Sequence, residues 1–283
     1  MNKESVAAIV KTDALMIEGA LEAMLSASEY CADLTDAMRY SVLGGGKRIR
    51  GVICLEVCKM LGGDAEKALP FACALELMHA SSLVHDDMPE LDNDDMRRGK
   101  PSCHKKYGQT TALLCGDALI CLAFEALTST EGGCVRKAVR ELADAGGRGG
   151  ICSGQMLDVA SENAEITYEE LLRLQSLKTG RLMKASAVLG ALCAKAEKAD
   201  IENCAAYAQD LGLAFQIVDD LLDAEEEGSD AKRGLATFLT FMNADDARAE
   251  AARLSEGAKR AISPYGDNGF LTGLCDYLLE RTY

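Results

Sequence analysis

Tryptophan is absent from this 283-residue chain, proline occurs four times, histidine three times, and aromatic residues make up 5% of it. Alternating Val, Ile and Thr are also scarce. Nothing predicts a sheet, and the Ala- and Leu-rich remainder reads as all-helical. The twelve cysteines include no Cys-x-x-Cys pair and the histidines form no His-Glu-x-x-His, which excludes the usual zinc frameworks. No Gly-x-Ser-x-Gly elbow is present, which removes the serine hydrolases built on one. Basic residues are the minority, 30 Lys and Arg against 45 Asp and Glu. The net charge of −15 excludes general nucleic-acid binding but leaves room for a local basic pocket. No apolar run reaches roughly 18 residues. Acids and lysines scattered through residues 1–20 do not make a signal peptide. A cytoplasmic protein with no stable membrane insertion is expected.

What is present reads as globular: 48% hydrophobic and 27% charged residues. No linker, low-complexity tract or repeat divides the chain, so one domain over residues 1–283 is expected. Many cysteines, such as Cys54, Cys73 and Cys115, sit inside apolar runs and read as small buried hydrophobes in a reducing compartment. Helical periodicity predicts helices over residues 4–26, 34–43, 47–61, 65–87, 110–130, 134–145, 151–160, 168–195, 201–225, 246–262 and 270–280, with a polar loop at 90–106. Long apolar helices around a centre make a bundle.

Two acidic clusters carry the strongest signal. Asp86-Asp87-Met-Pro-Glu-Leu-Asp92, with Asp94 and Asp95 behind it, closes the most apolar predicted helix. Asp219-Asp220-Leu-Leu-Asp223 lies near the end of another. Asp219 and Asp223 are four residues apart and share a helix face. Bunched carboxylates repel, and a helix C-terminus is the wrong end for negative charge. A solvated surface run explains one such cluster. Two of them, each ending a nearly uncharged helix, call for a cation. Oxygen ligands without His or Cys favour Mg²⁺, which binds one or two carboxylates plus substrate phosphates.

Basic residues stand out against the acidic background. Gly44-Gly45-Gly46-Lys47-Arg48-Ile49-Arg50 puts three cations at a glycine turn opening a helix, a place that suits phosphate. It is not a Walker loop, because Arg48 stands where Ser or Thr is needed. Arg97-Arg98-Gly99-Lys100 follows the first acidic cluster, and Lys178-Thr179-Gly180 lies further on. Any one of these reads as a solvated cation; together with two metal sites they suggest more than one diphosphate. His79, His85 and His104 all surround the first cluster. His85 reads as structural, and His79 is within reach of a phosphate. Gly146-Gly147-Arg148-Gly149-Gly150 has no preceding strand and reads as a helix-break loop.

Taken together, these motifs resemble the trans-isoprenyl diphosphate synthases, the farnesyl and geranylgeranyl diphosphate synthases of bacterial and plant type. The resemblance is close over residues 34–223. It rests on Leu75-Glu-Leu-Met-His-Ala-Ser-Ser-Leu-Val-His-Asp-Asp-Met-Pro, Asp92-Asn-Asp-Asp-Met-Arg-Arg-Gly-Lys-Pro, Lys178-Thr-Gly and Phe215-Gln216 before Asp219. It implies an all-α bundle around a deep central cleft, a homodimer, and condensation of isopentenyl diphosphate with an allylic diphosphate. It also implies roles. Asp86, Asp87, Asp92, Asp219 and Asp223 would hold Mg²⁺ against the allylic diphosphate, which Arg97, Lys178 and Gln216 would contact. Lys47, Arg50, His79 and Arg98 would bind isopentenyl diphosphate, and Thr179 would lie near the reacting atoms.

Two positions depart from the family pattern. Leu235 stands where a Lys usually follows the second acidic cluster, with Lys232 and Arg233 as neighbouring substitutes, and Gly51 stands where Pro often follows the Arg. Chain growth would run along the helix ending at Asp86. Ser82 and Ser81, four and five residues back, are small, and the first bulky positions, Met78 and Leu77, lie about a turn deeper. One turn is about 5.4 Å, roughly one isoprene unit, so a product longer than farnesyl, geranylgeranyl, is expected. Three other readings compete. A terpene cyclase of similar fold would not need Lys47, Arg50 and His79. A non-catalytic synthase subunit would fit Leu235 but not the intact acidic pairs. A calcium loop at Asp92 fails because Arg97 occupies the position that needs Gly.

Overall fold

The computed structural model describes residues 1–26, 30–130, 133–225 and 234–280. Helices α1 (Lys3–Met24), α2 (Ala32–Val42), α3 (Ile49–Met60) and α4 (Ala65–Asp86) come first. A short antiparallel ribbon, β1 (Met96–Arg97) and β2 (Lys100–Pro101), and a one-turn helix, α5 (Cys103–Tyr107), follow. Then come α6 (Gln109–Thr128), α7 (Val135–Gly146), α8 (Ile151–Ser161) and α9 (Tyr168–Gln175). A π-helical segment, Ser176–Gly180, joins α9 to α10 (Arg181–Cys193). The chain continues through α11 (Lys198–Glu225), a 3₁₀ turn (Phe238–Thr240), α12 (Ala244–Ala261) and α13 (Gly269–Leu279).

Helix α4 is the axis of the bundle, in contact with α1, α2, α3, α6, α7 and α10. Its apolar run explains this: Phe71, Cys73, Leu75 and Leu77 are buried on several faces, as expected of a helix wrapped by others. Helix α10 packs on both α4 and α11, and so relates the two acidic clusters. A second apolar cluster around Leu171, Ile217, Leu221 and Phe238 ties α9, α11, the 3₁₀ turn and α12 together.

The all-helical expectation holds, with three local corrections. The loop predicted over 90–106 contains the ribbon, because Arg98 and Gly99 both take positive φ, 52° and 72°, and make the tight turn that two short strands require. The helix predicted over 168–195 is broken by the π segment, where one extra residue per turn redirects Lys178 and Thr179. Helix α6 is long and apolar enough by length and composition to cross a membrane, contrary to the expected lack of such a run. Within the bundle it is the neighbour of α4, α2, α5 and α7.

Candidate active site

The first acidic cluster closes on itself. Helix α4 ends at Asp86, and the loop turns back so that the Asp92 N–H donates to the Asp86 carbonyl at 2.8 Å. Asp86, Asp92 and Asp94 line a polar pocket whose far side is Asp158, Lys178 and Thr179. Burial pushes the Asp86 carboxyl up to about 7; Lys178 opposes the shift and Asp92 adds to it. Asp87 turns the other way. It is 2% exposed and accepts from Arg97 through Nε at 2.9 Å and through Nη2. Arg97 also reaches Asp94 at 3.3 Å. Two adjacent aspartates thus have different neighbours: one faces the pocket and one anchors the ribbon.

Behind Asp87 lies a cationic cluster assembled from distant segments. The ribbon docks on the glycine turn, where Arg98 Nη1 donates to the Gly45 carbonyl. Gly46 faces the same guanidinium so closely that a Cβ would lie 2.9 Å from its carbon. Arg50 joins them from α3, and its Nε is buried without a hydrogen-bond partner. Burial lowers its pKa and the Arg98 charge adds to this, while Glu76 and Asp219 oppose. His79 is held well below its usual range by burial and by Arg50, Arg98, Arg48 and Arg97. Packed like charges with an orphaned donor favour an anion. Lys47 stands at the exposed edge, 5.7 Å from the Tyr277 ring centre.

Arg48, the middle cation of the motif, is a core strut instead. It is 4% exposed and donates to the Val42 carbonyl at 2.6 Å, with ion pairs to Glu18 at 3.2 Å and Glu76 at 3.9 Å. Glu76 also accepts from the Gly51 N–H at 2.9 Å, near the start of α3. A proline at 51 could not donate that bond, and even a Cβ there would lie 2.7 Å from Ile17.

The second acidic cluster sits on α11. Asp220 accepts from Gln216 Nε2 at 3.2 Å and from the Phe238 N–H at 2.7 Å, while Gln216 Oε1 accepts from the Thr179 hydroxyl at 3.2 Å. This chain links the π segment, α11 and the 3₁₀ turn. Asp219 is near enough to Arg50 for its charge to oppose the lowering of the Arg50 pKa. Asp219 and Asp223 do not line the pocket that holds Asp86 and Asp92. Among the described residues, no three His, Cys, Asp or Glu side chains converge as a ready metal cage. Leu235 does line the polar pocket; Lys232 and Arg233, its expected substitutes, lie outside the described residues.

An apolar cleft of about 250 Å³ leads away from Asp86 past Ser82 and Ser81 to Met78, Gly146 and Ile120. Met78 wedges against Gly146, where a Cβ would meet its sulfur at 2.6 Å. Leu77, the other bulky position expected at this depth, is fully buried in the core and is not part of the lining. His85 is structural, its ring seated on Gly116 with Nε2 3.1 Å from the Leu113 carbonyl.

Gln155 and Asp158, both on α8, were not picked out by sequence reasoning. Asp158 is 6% exposed and accepts from Lys178 Nζ, and Gln155 Nε2 donates to Asp92 at 3.3 Å. Gly154, just before Gln155, lets α8 approach the Lys178 segment, since a Cβ there would overlap the Lys178 backbone. The available signal was a polar pair three residues apart on a largely apolar helix.

The pattern of the polyprenyl synthetase family matches residues 31–262. The chain belongs to the polyprenyl synthetase family. It is 40% identical to a dimethylallyltranstransferase of Fischerella ambigua over 94% of this chain and 81% of that one. It is also 40% identical to a geranylgeranyl diphosphate synthase of Cyanophora paradoxa, over 87% of each. The solved structure of an FPP/GFPP synthase from Zymomonas mobilis superposes with a TM-score of 0.91 at 36% identity, covering 98% of this chain and all of that one. The resemblance to trans-isoprenyl diphosphate synthases, the all-α fold and the reading as a prenyltransferase all hold.

Proposed function

We propose that this chain condenses isopentenyl diphosphate with a short allylic diphosphate and releases a geranylgeranyl product. One observation carries the reading: Asp86 lines both the polar pocket and the apolar cleft. A diphosphate held at the pocket would therefore have its hydrocarbon tail directed into the cleft.

The donor set fits Mg²⁺. Asp86 and Asp92 are oxygen ligands on one wall, and burial leaves the Asp86 carboxylate short of positive charge. Mg²⁺ takes one or two carboxylates and completes its shell with phosphates and water, which Asp86 and Asp92 suffice to begin. Asp86 and Asp92 would hold the ion from α4 and its loop, and Asp219 and Asp223 from α11; Asp87, expected from the sequence as a further ligand, is instead paired with Arg97 outside the pocket. When bound, it supplies positive charge to the departing diphosphate. Lys178 and Arg97 bind the same group and place more positive charge where negative charge develops. Gln216 orients Thr179 beside it. Arg50, Arg98, Lys47 and neutral His79 hold the diphosphate of isopentenyl diphosphate, whose double bond attacks the allylic carbon. The released diphosphate takes the proton. The apolar cleft keeps water from the cation. In a direct test, diphosphate release should require divalent cation and both substrates together; release from the allylic substrate alone, at the same rate, would contradict condensation.

Ser81→Phe fills the cleft between Asp86 and Met78 and should shorten the product by one isoprene unit in chromatographic product analysis. An unchanged product would place the floor elsewhere. Leu235→Lys adds a cation to the polar pocket and should lower the KM for the allylic substrate by about three- to tenfold, with the KM for isopentenyl diphosphate unchanged.

A homodimer and a single domain over 1–283 belong to the same reading. Exposed, adjacent Leu113 and Leu114 on α6 support the dimer. Light scattering measures its mass directly.

A further inference from the structure

The buried Gln155 amide has a job left over. Its side chain lines the apolar cleft beside Asp86 and is 7% exposed. Its Nε2 donates to Asp92 Oδ1 at 3.3 Å. A carboxylate only accepts, so this contact fixes which end of the amide is nitrogen. The carbonyl oxygen, Oε1, is then buried with no hydrogen-bond partner. An unpaired acceptor in a dry site costs stability, and proteins retain such groups where function uses them. No donor in the cleft mouth satisfies it. What the proposed reaction brings there is positive charge.

We infer that Gln155 is a further catalytic residue, whose Oε1 stabilises the allylic cation. This rests on the prenyltransferase reading above. The allylic C–O bond breaks heterolytically, the electron pair leaves with the diphosphate, and the positive charge spreads over the allyl unit. Gln155 forms no bond to carbon and moves no proton. Its carbonyl dipole is preorganised: Asp92 holds the nitrogen end, and the oxygen end is left buried and unpaired in a side chain that lines the cleft. Gln155 thus couples the acidic loop to the site of charge development. The neutral ground state gains little from this dipole and the cation gains much, which is the differential that accelerates a step.

The test is calorimetric binding of two unreactive allylic analogues, with Mg²⁺ present. One replaces the bridging oxygen with sulfur and carries no charge on carbon. The other carries a protonated amine at the position of the cationic carbon. Gln155→Leu should weaken the amine analogue about ten- to a hundredfold, with the sulfur analogue changed by less than about a third of that. Loss of the Asp92 contact affects both diphosphates alike and cancels in the ratio. Gln155→Met, closer in shape, should give the same ratio and guards against a folding defect in the leucine variant. Equal weakening of both analogues would overturn the role of Gln155 and leave the prenyltransferase reading intact. Failure of the wild type to bind either analogue would overturn both.

Discussion

Asp86→Asn should lower kcat/KM by about a thousandfold and, without divalent cation, make the protein more stable. The two effects share a cause. Burial raises the folded carboxyl from 3.8 to about 7, so folding opposes its ionisation. The sign follows from linkage. At acid pH both folded and unfolded forms are protonated and no penalty exists. The penalty grows as pH rises from the unfolded value towards the folded one, and is complete above it. Asparagine carries no charge and escapes this. The gain in unfolding midpoint of the variant over wild type should therefore be at least twice as large at about pH 8 as at about pH 5. Thermal unfolding at the two pH values measures it. A midpoint below wild type at high pH would mean that Lys178 already compensates Asp86 fully.

Arg48→Met should cost about 3–5 kcal/mol of stability, because it takes from the core the guanidinium that faces the buried Glu76 and also holds Glu18 and the Val42 carbonyl. Arg48 and Glu76 are 4% and 3% exposed, so water cannot replace the lost contact. Adding Glu76→Gln removes the stranded charge and should recover a large part of the loss. Urea unfolding of both variants and the pair distinguishes this from a simple packing effect, in which the second change would add further loss. Arg50→Met, by contrast, should leave stability nearly unchanged or raise it, since burial and the Arg98 charge outweigh what Glu76 and Asp219 give its cation.

The acidic clusters, the long helices and the small residues behind Asp86 were legible in the sequence because each depends on local spacing. Helical periodicity places Ser82, Ser81 and Met78 along one path into the bundle, and the cleft follows it. Which neighbour faces which way was not legible. Arg48 and Arg50 look alike in the motif, yet one is ion-paired with Glu18 and Glu76 and the other keeps a buried Nε without a hydrogen-bond partner. Asp86 and Asp87 differ in the same way. These distinctions come from contacts between α1, α3, α4 and the ribbon, segments far apart in sequence. The docking of Arg98 on Gly45 joins residues 53 apart and has no local signature. Gln155 and Asp158 escaped notice because a glutamine and an aspartate on a helix usually face water. Gly51 was legible only as a departure; its N–H to Glu76 shows what the departure serves here.

The most direct measurement is the product profile. The purified protein would be incubated with Mg²⁺, labelled isopentenyl diphosphate and, in turn, dimethylallyl, geranyl and farnesyl diphosphates, and the chain lengths resolved. Geranylgeranyl product from all three starters is expected, as the open path past Ser82 and Ser81 to Met78 requires. Farnesyl alone would keep the condensation and contradict the depth of the cleft. No condensation product from any starter, with both substrates bound, would contradict the central claim that this site joins two isoprenoid diphosphates.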